Sequence, residues 1–202
     1  HRQFKNRHRR KRLPASYKWL DLLKLSQALA PQDQIDWIGY FTAYVKPRPS
    51  DPDQPSRQRA YLEALKKIPC LEVIQGQYLE VEKSGVPVGV PNALPVRFRT
   101  FEEKGSDVNL ACRLVLHAAH GNFTRAIIVT NDGDLREPVR IVVQELGLPV
   151  DVVSPDVTIN GTLRDVATSA GTLDTRVLRN CLFPPTLVNA AGHAISRPAA
   201  WV

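Results

Sequence analysis

"RAIIVTNDGDLREPVRIVVQELGLPVDVVSP", residues 125–155, is the stretch on which the fold turns. "RAIIVT" and "PVDVVSP" are apolar runs of strand length, and "DLREPVRIVVQELG" between them has helical spacing with a glycine at its end. Strand, helix and strand in succession make a βαβ unit, and strands without polar alternation predict a parallel sheet covered by helices on both faces. Ligands of such sheets bind beyond the carboxyl ends of the strands. Asp132 and Asp134 leave the first strand at that edge, and Gly133 between them permits a sharp turn.

The same alternation extends outward. "YKWLDLLKLSQALA", 17–30, reads as one helix with Trp19, Leu22, Leu23, Leu25, Ala28 and Leu29 on its apolar face, ended near Pro31. "IDWIGYFTAYV", 35–45, reads as a buried strand, the Pro-rich "RPSDPDQPS" as a loop, and "RQRAYLEALKKI", 57–68, as a helix. "LEVIQGQYLEV", 71–81, reads as the next strand, "SGVPVGVPNALP", 84–95, as an irregular excursion, and "VRFRTF" as a short strand. "GSDVNLACRLVLHAAHG" then gives an amphipathic helix with Val108, Ala111, Leu114, Val115 and Ala118 inward, closed by Gly121.

Asp107 opens that helix directly after a strand, so it stands at the same carboxyl edge as Asp132 and Asp134 if both strands are parallel. Carboxylates held together repel one another, and a hard divalent cation with its taste for oxygen ligands relieves the repulsion. Helix capping is the competing reading. Asp134 and Glu137 have capping-box spacing, and Asp107 can cap its own helix. Beside Asp107, Lys104 is a candidate phosphate contact, and Glu103 either tunes the site or neutralises that lysine. Cys112, His117 and His120 share a helix without a second ligand pair, which argues against zinc. G-x-S-x-G and glycine-rich phosphate-loop patterns are absent.

Composition sets the outer bounds. The 202 residues, 43% hydrophobic, suffice for one domain with a substantial core. No run of about eighteen apolar residues marks a membrane span, and Cys70, Cys112 and Cys181 form no C-x-x-C pair, so a cytoplasmic, reducing setting without membrane attachment is expected. The net charge of +7 resides wholly in "HRQFKNRHRRKR", 1–12, where seven Lys/Arg face no acid. Arg7, Arg9, Arg10 and Arg12 are the candidates for holding a phosphate backbone, with Phe4 as a stacking surface, and a solvated, partly disordered arm is the competing reading. The expected organisation is a basic arm over 1–16, a domain over 17–180 and an apolar, Pro-rich tail over 181–202 that packs on the sheet, binds a partner or stays flexible; self-association is a further expectation.

"EEKGSDVNLACRLVLHAA", "AIIVTNDGDLREPVRIVVQELGLPVDVVSP" and "LRNCLFPPTL" resemble the NYN domain family, the bacterial branch of the PIN-like nucleases. The likeness continues through "YKWLDL", "YFTAYV", "RQRAYLEAL" and "VIQGQYL", and so spans residues 17 to 188. It implies a three-layer αβα sandwich with a mainly parallel central sheet, and cleavage of RNA phosphodiesters with Mg²⁺ or Mn²⁺. The acidic pocket of the family carries over to Asp107, Asp132 and Asp134, with Thr130 where serine is frequent and Asn131 beside it on the substrate side. The family pattern also begins with a strand ending in D-G-x-N. That motif would lie upstream of His1, and the lack of any methionine agrees with an omitted N-terminal segment. The alternative is a catalytically weak or inactive RNA-binding module of the same fold; a small-molecule phosphatase is a third reading.

Overall fold

A computed structural model describes residues 13–189 and 191–202. Its fold is mixed α/β, with parallel strands and helices packed against them. Residues 1–12 of the basic arm, with Phe4, Arg7, Arg9, Arg10 and Arg12, lie outside the described residues.

The predicted first helix is broken in two. Ala15–Lys18 forms a 3-10 turn, Leu20 bridges to Leu182, and only then does α1 (Leu22–Leu29) begin, because the Asp21 carboxylate accepts the N–H groups of Leu23 and Lys24. Trp19 therefore leaves the helix face and enters a different core. Strand β1 (Ile38–Thr42) pairs in parallel with β2 (Leu71–Gln75) across the crossover helix α2 (Gln54–Leu65). Ile38, Tyr40, Leu71 and Val73 pack with the α2 side chains Tyr61, Leu62, Ala64 and Leu65. On the opposite face, Glu72 takes a 3.0 Å ion pair from Arg113.

The expected strand over 71–81 is two strands that part at Gly76, where the Gly76 N–H donates to the Thr42 carbonyl. Beyond it β3 (Gln77–Gly85) turns back through the proline-rich excursion into β4 (Val96–Lys104), nine antiparallel pairs running from Gln77↔Lys104 to Gly85↔Val96. The condition that the strand before Asp107 be parallel thus fails: β4 belongs to a hairpin. Asp107 reaches the carboxyl edge by another route. Helix α3 (Ser106–Ala119) starts against Gly76 at the end of β2 and runs down to the start of β5 (Ala126–Val129), antiparallel to the strands.

That start depends on Gly76 having no side chain. A Cβ there would lie 2.5 Å from the Lys104 carbonyl oxygen and 2.7 Å from Ser106 Oγ. Gly76→Ala is expected to cost about 1–3 kcal/mol by overpacking, read as a fall in thermal midpoint, whereas Gly161→Ala, with open space around it, leaves the midpoint in place.

β5, β6 (Val150–Ser154) and β7 (Ser169–Thr172) form a second parallel sheet. Between β5 and β6 the predicted single helix is a composite: a 3-10 turn over Gly133–Leu135, α4 (Arg136–Arg140) and a π-helical turn over Ile141–Glu145. Central strand β6 is buried on both faces, which explains its unbroken apolar run. Its one acid, Asp151, receives Arg125 Nε at 2.6 Å and the Ser169 hydroxyl. Leu114 and Ala118 of α3 join Leu135, Val139 and Val142 over Ile128, Val150 and Val152. Val108, expected inward, is exposed.

Two further helices, α5 (Gly161–Arg164) and α6 (Thr175–Leu178), flank β7. Leu25 of α1, Leu178 of α6 and Cys181 pack together with Val153 beneath them. Among the described residues the parallel strands lie in two sheets, β1–β2 and β5–β6–β7, rather than one, and α3 packs against both. The chain closes with the hairpin β8 (Thr186–Val188) and β9 (Ala194–Ser196). Of the options for residues 181–202 the structure takes packing, placing Phe183, Ile195 and Trp201 in the α2 core. All three cysteines are free thiols, and no helix among the described residues is long and apolar enough to cross a membrane.

Candidate functional site: an acidic cluster at the carboxyl edge

The exit of β5 and the start of α3 bring three aspartates into electrostatic reach. Asp107 stands in the first turn of α3, whose N-cap is Gly105 in the left-handed region (φ 87°), so the carboxylate of Asp107 does not cap the helix. Partial burial, followed by the negative charges of Asp132, Glu103 and Asp134, pushes its carboxyl above the ordinary aspartate value. Burial is the larger cause, and repulsion by the neighbouring carboxylates adds to it.

Asp132 is fixed by its own backbone. Its carboxylate accepts the Asp134 N–H at 3.1 Å, and its N–H donates to the Thr130 hydroxyl at 3.2 Å. Thr130 is buried, so its hydroxyl shapes the turn rather than meeting a substrate. Capping by Asp134 with Glu137 is not what the structure holds. Asp132 caps this turn, Glu137 is engaged by Arg140 with a shortest contact of 2.6 Å, and among the described residues Asp134 makes no side-chain hydrogen bond. Gly133 is required by packing more than by turn geometry: a Cβ would lie 2.8 Å from Asn160 Nδ2 and 3.1 Å from Thr162 Oγ1.

Two candidate contact residues have other occupations. Asn131 donates to Asp156 Oδ2 (3.0 Å) and to the Thr158 carbonyl (3.1 Å), and accepts the Asn160 N–H (2.6 Å), fastening the β5 exit to the loop after β6. Lys104 pairs at 2.7 Å with Glu102, not Glu103; Lys104, then Lys83, holds the Glu102 carboxyl down at about 2. Glu103 projects from the opposite face of β4, where it accepts the Ser106 hydroxyl and adds its charge to the cluster. Alternation along β4 makes this choice between neighbours. Asp156 and Asn160 belong to no motif that the sequence displays; their only signal is a position just past the apolar run of β6. His117 packs against Trp37 with ring centroids 4.6 Å apart and planes tilted by 52°, and among the described residues it forms no metal-capable group with Cys112 and His120.

Among the described residues no three His, Cys, Asp or Glu side chains are grouped so that they could hold a metal ion. The donor set nevertheless suits a hard cation: carboxylate oxygens alone, with excess negative charge already felt by Asp107.

Comparison with known proteins places this geometry in context. The family profile described as the NYN domain matches residues 14–174. A curated relative, 6-hydroxy-3-succinoylpyridine 3-monooxygenase HspA of Pseudomonas putida, is 31% identical over 166 residues, 69% of this chain. The match spans about half, 53%, of that enzyme. Among solved structures, a protein of unknown function from Vibrio parahaemolyticus superposes with a TM-score of 0.51 at 18% identity, covering 77% of this chain and 79% of its own. That likeness speaks for the fold alone.

Proposed function

This chain belongs to the NYN domain family, whose fold is nuclease-like, and from that premise we propose that it is a divalent-metal-dependent ribonuclease working through Asp107, Asp132 and Asp134. The observation that carries the reading is the placement of Asp107 in the first turn of α3 and of Asp132 and Asp134 at the exit of β5, near enough that the two negative charges add to burial in raising the Asp107 carboxyl. Helices α2 and α3 on opposite faces of β1–β2 support a three-layer sandwich as the finer architecture.

The three aspartates would hold Mg²⁺ or Mn²⁺, which supplies Lewis-acid activation of water and stabilises charge on the leaving oxygen. Asp132 is presented by the Thr130 turn, Asp134 projects into solvent beside it, and Glu103 is steadied by Ser106. Asn131 acts by positioning the β5 exit. RNA is the partner in this reading, and Arg7, Arg9, Arg10 and Arg12 would draw in its backbone.

Cation binding has a readout independent of turnover. Asp107 binds its proton more tightly folded than unfolded. Its contribution to stability is present at acid pH and is lost as pH rises from the ordinary aspartate value through the raised one. At neutral pH the metal-free protein therefore carries unrelieved repulsion. Saturating Mn²⁺, at a hundredfold excess over Kd, is expected to stabilise by about 2.7 kcal/mol, a rise in thermal midpoint of roughly 5–10 °C. The rise disappears at acid pH and in Asp107→Asn, which by itself raises the metal-free midpoint. The paired assay is cleavage of labelled RNA with Mn²⁺ and its loss in EDTA.

The absence of an enclosed three-ligand group among the described residues favours one second reading, an RNA-binding module with little catalysis. RNA binding with no cleavage under any divalent ion would select it. Hydroxylation of a pyridine substrate without RNA cleavage would replace both.

A further inference from the structure

The β3–β4 ribbon rises directly from the acidic cluster, and its two faces differ. Cross-strand partners share a face, so Tyr78 with Glu103, Glu80 with Phe101, Glu82 with Arg99 and Ser84 with Arg97 form one continuous side. Glu103, at the base of that side, accepts the hydroxyl of Ser106, the residue next to Asp107. Tyr78, directly opposite Glu103, stacks with Phe101, one step farther along the same side, with ring centroids 5.6 Å apart and planes within 8° of each other. Arg48, from the loop after β1, donates to the Tyr78 hydroxyl and lies 5.9 Å and 5.7 Å from the two ring centroids. Among the described residues Arg48 forms no ion pair, because its hydrogen-bonded partner is a neutral phenol.

We propose that this side of the ribbon is the binding platform for unpaired nucleotides of the RNA strand delivered to the acidic cluster. The inference rests on the nuclease reading above and adds the surface of this chain that holds the strand.

Each part has a physical basis. Bases stack on aromatic rings and on guanidinium planes without regard to sequence, and only unpaired bases expose their faces to do so. Tyr78 and Phe101, each half-buried and stacked on the other, with Arg48 over both rings, form one aromatic–guanidinium stack that an unpaired base can extend. Farther up, Arg97 and Arg99 face solvent with side chains 83% and 76% exposed. Their cross-strand contacts to Glu82 (3.4 Å) and Glu80 (3.7 Å) are long and exposed, and pairs of that kind contribute little, so a phosphate competes for them readily. Same-face positions on a strand recur about every 7 Å, a step comparable to one extended nucleotide. The platform thus runs from phosphate contacts through a stacking surface to the carboxylates in one direction.

The test uses the full chain carrying Asp132→Asn, so that binding is read without cleavage, with fluorescent single-stranded RNA containing 2-aminopurine and with an RNA duplex of the same length. Tyr78→Ala and Phe101→Ala are each expected to weaken single-strand binding about 5- to 100-fold and to lose the 2-aminopurine quenching, with duplex binding unchanged. Phe101→Tyr keeps the stacking surface and restores both. Arg48→Ala lowers single-strand affinity and reduces the dependence of log Kd on log salt by about one. Single-strand affinity and quenching that persist in both alanine variants overturn the platform, as does equal weakening for the duplex or a parent that binds no single-stranded RNA. If those variants behave as the parent while the wild type cleaves RNA, the platform fails and the nuclease reading stands. Platform-dependent binding by a wild type that never cleaves RNA leaves the platform standing and removes the nuclease reading.

Discussion

Asp132→Asn is expected to lower RNA cleavage by about 100- to 1,000-fold with the fold unchanged. Asparagine still accepts a hydrogen bond, so the cap on the Asp134 N–H survives, and the turn ordered by Thr130 keeps its shape. What disappears is one negative charge. Its loss weakens the hold on a cation and at the same time relieves Asp107, whose carboxyl moves back toward its ordinary value because Asp132 is the largest charge acting on it. Single-turnover cleavage with Mn²⁺, circular dichroism and a thermal melt read the three consequences together. Full cleavage by a well-folded Asp132→Asn protein would remove Asp132 from the chemistry and with it the proposed pocket.

Trp19→Ala is expected to be the most damaging core substitution, costing about 3–5 kcal/mol out of the roughly 5–15 kcal/mol typical of a domain. Trp19 is fully buried and meets Tyr61 of α2, Phe183 and Trp201 at centroid distances of 6.0, 5.9 and 6.3 Å. Its indole N–H donates to the Pro184 carbonyl at 2.9 Å. One side chain thus joins the beginning of the domain, the first crossover helix and the chain's last turn. Trp19→Phe keeps most of the apolar contact but orphans that carbonyl, and about 1–3 kcal/mol is the expected loss. Urea denaturation measures both. A shift below about 1 kcal/mol for Trp19→Ala, far under the cost of emptying a packed aromatic site, would mean that the C-terminal segment is not part of the core.

Protonation offers a cheap companion to both measurements. Glu102, held at about 2 by Lys104 and Lys83, stays ionised across the range in which Asp107 titrates. Its linkage has the opposite sign to that of Asp107: the stability it contributes is lost as pH falls from the ordinary glutamate value toward about 2, whereas the Asp107 contribution is lost as pH rises.

The sequence by itself determined the βαβ rhythm and the acids at its exits. Strands buried on both faces must be written as continuous apolar runs, as β6 is, and the residues that end such runs necessarily emerge at the sheet's carboxyl edge. Asp132 and Asp134 were legible for that reason; Asp107 was expected at that edge from a parallel strand before it, but that strand is half of an antiparallel hairpin and the start of α3 against Gly76 brings Asp107 there instead. Only the tertiary structure decided the rest. Whether "LEVIQGQYLEV" continues or breaks depends on Gly76 meeting the carbonyl of Lys104, a residue far along the chain. Whether Glu102 or Glu103 faces the cluster depends on the register of β4 against β3. Trp19 sits in a helical pattern yet belongs to a core completed by Trp201, and Asn131 is held by a loop that the spacing of motifs does not reveal. Local periodicity records which face a residue turns inward; it carries no information about which distant segment arrives to meet it.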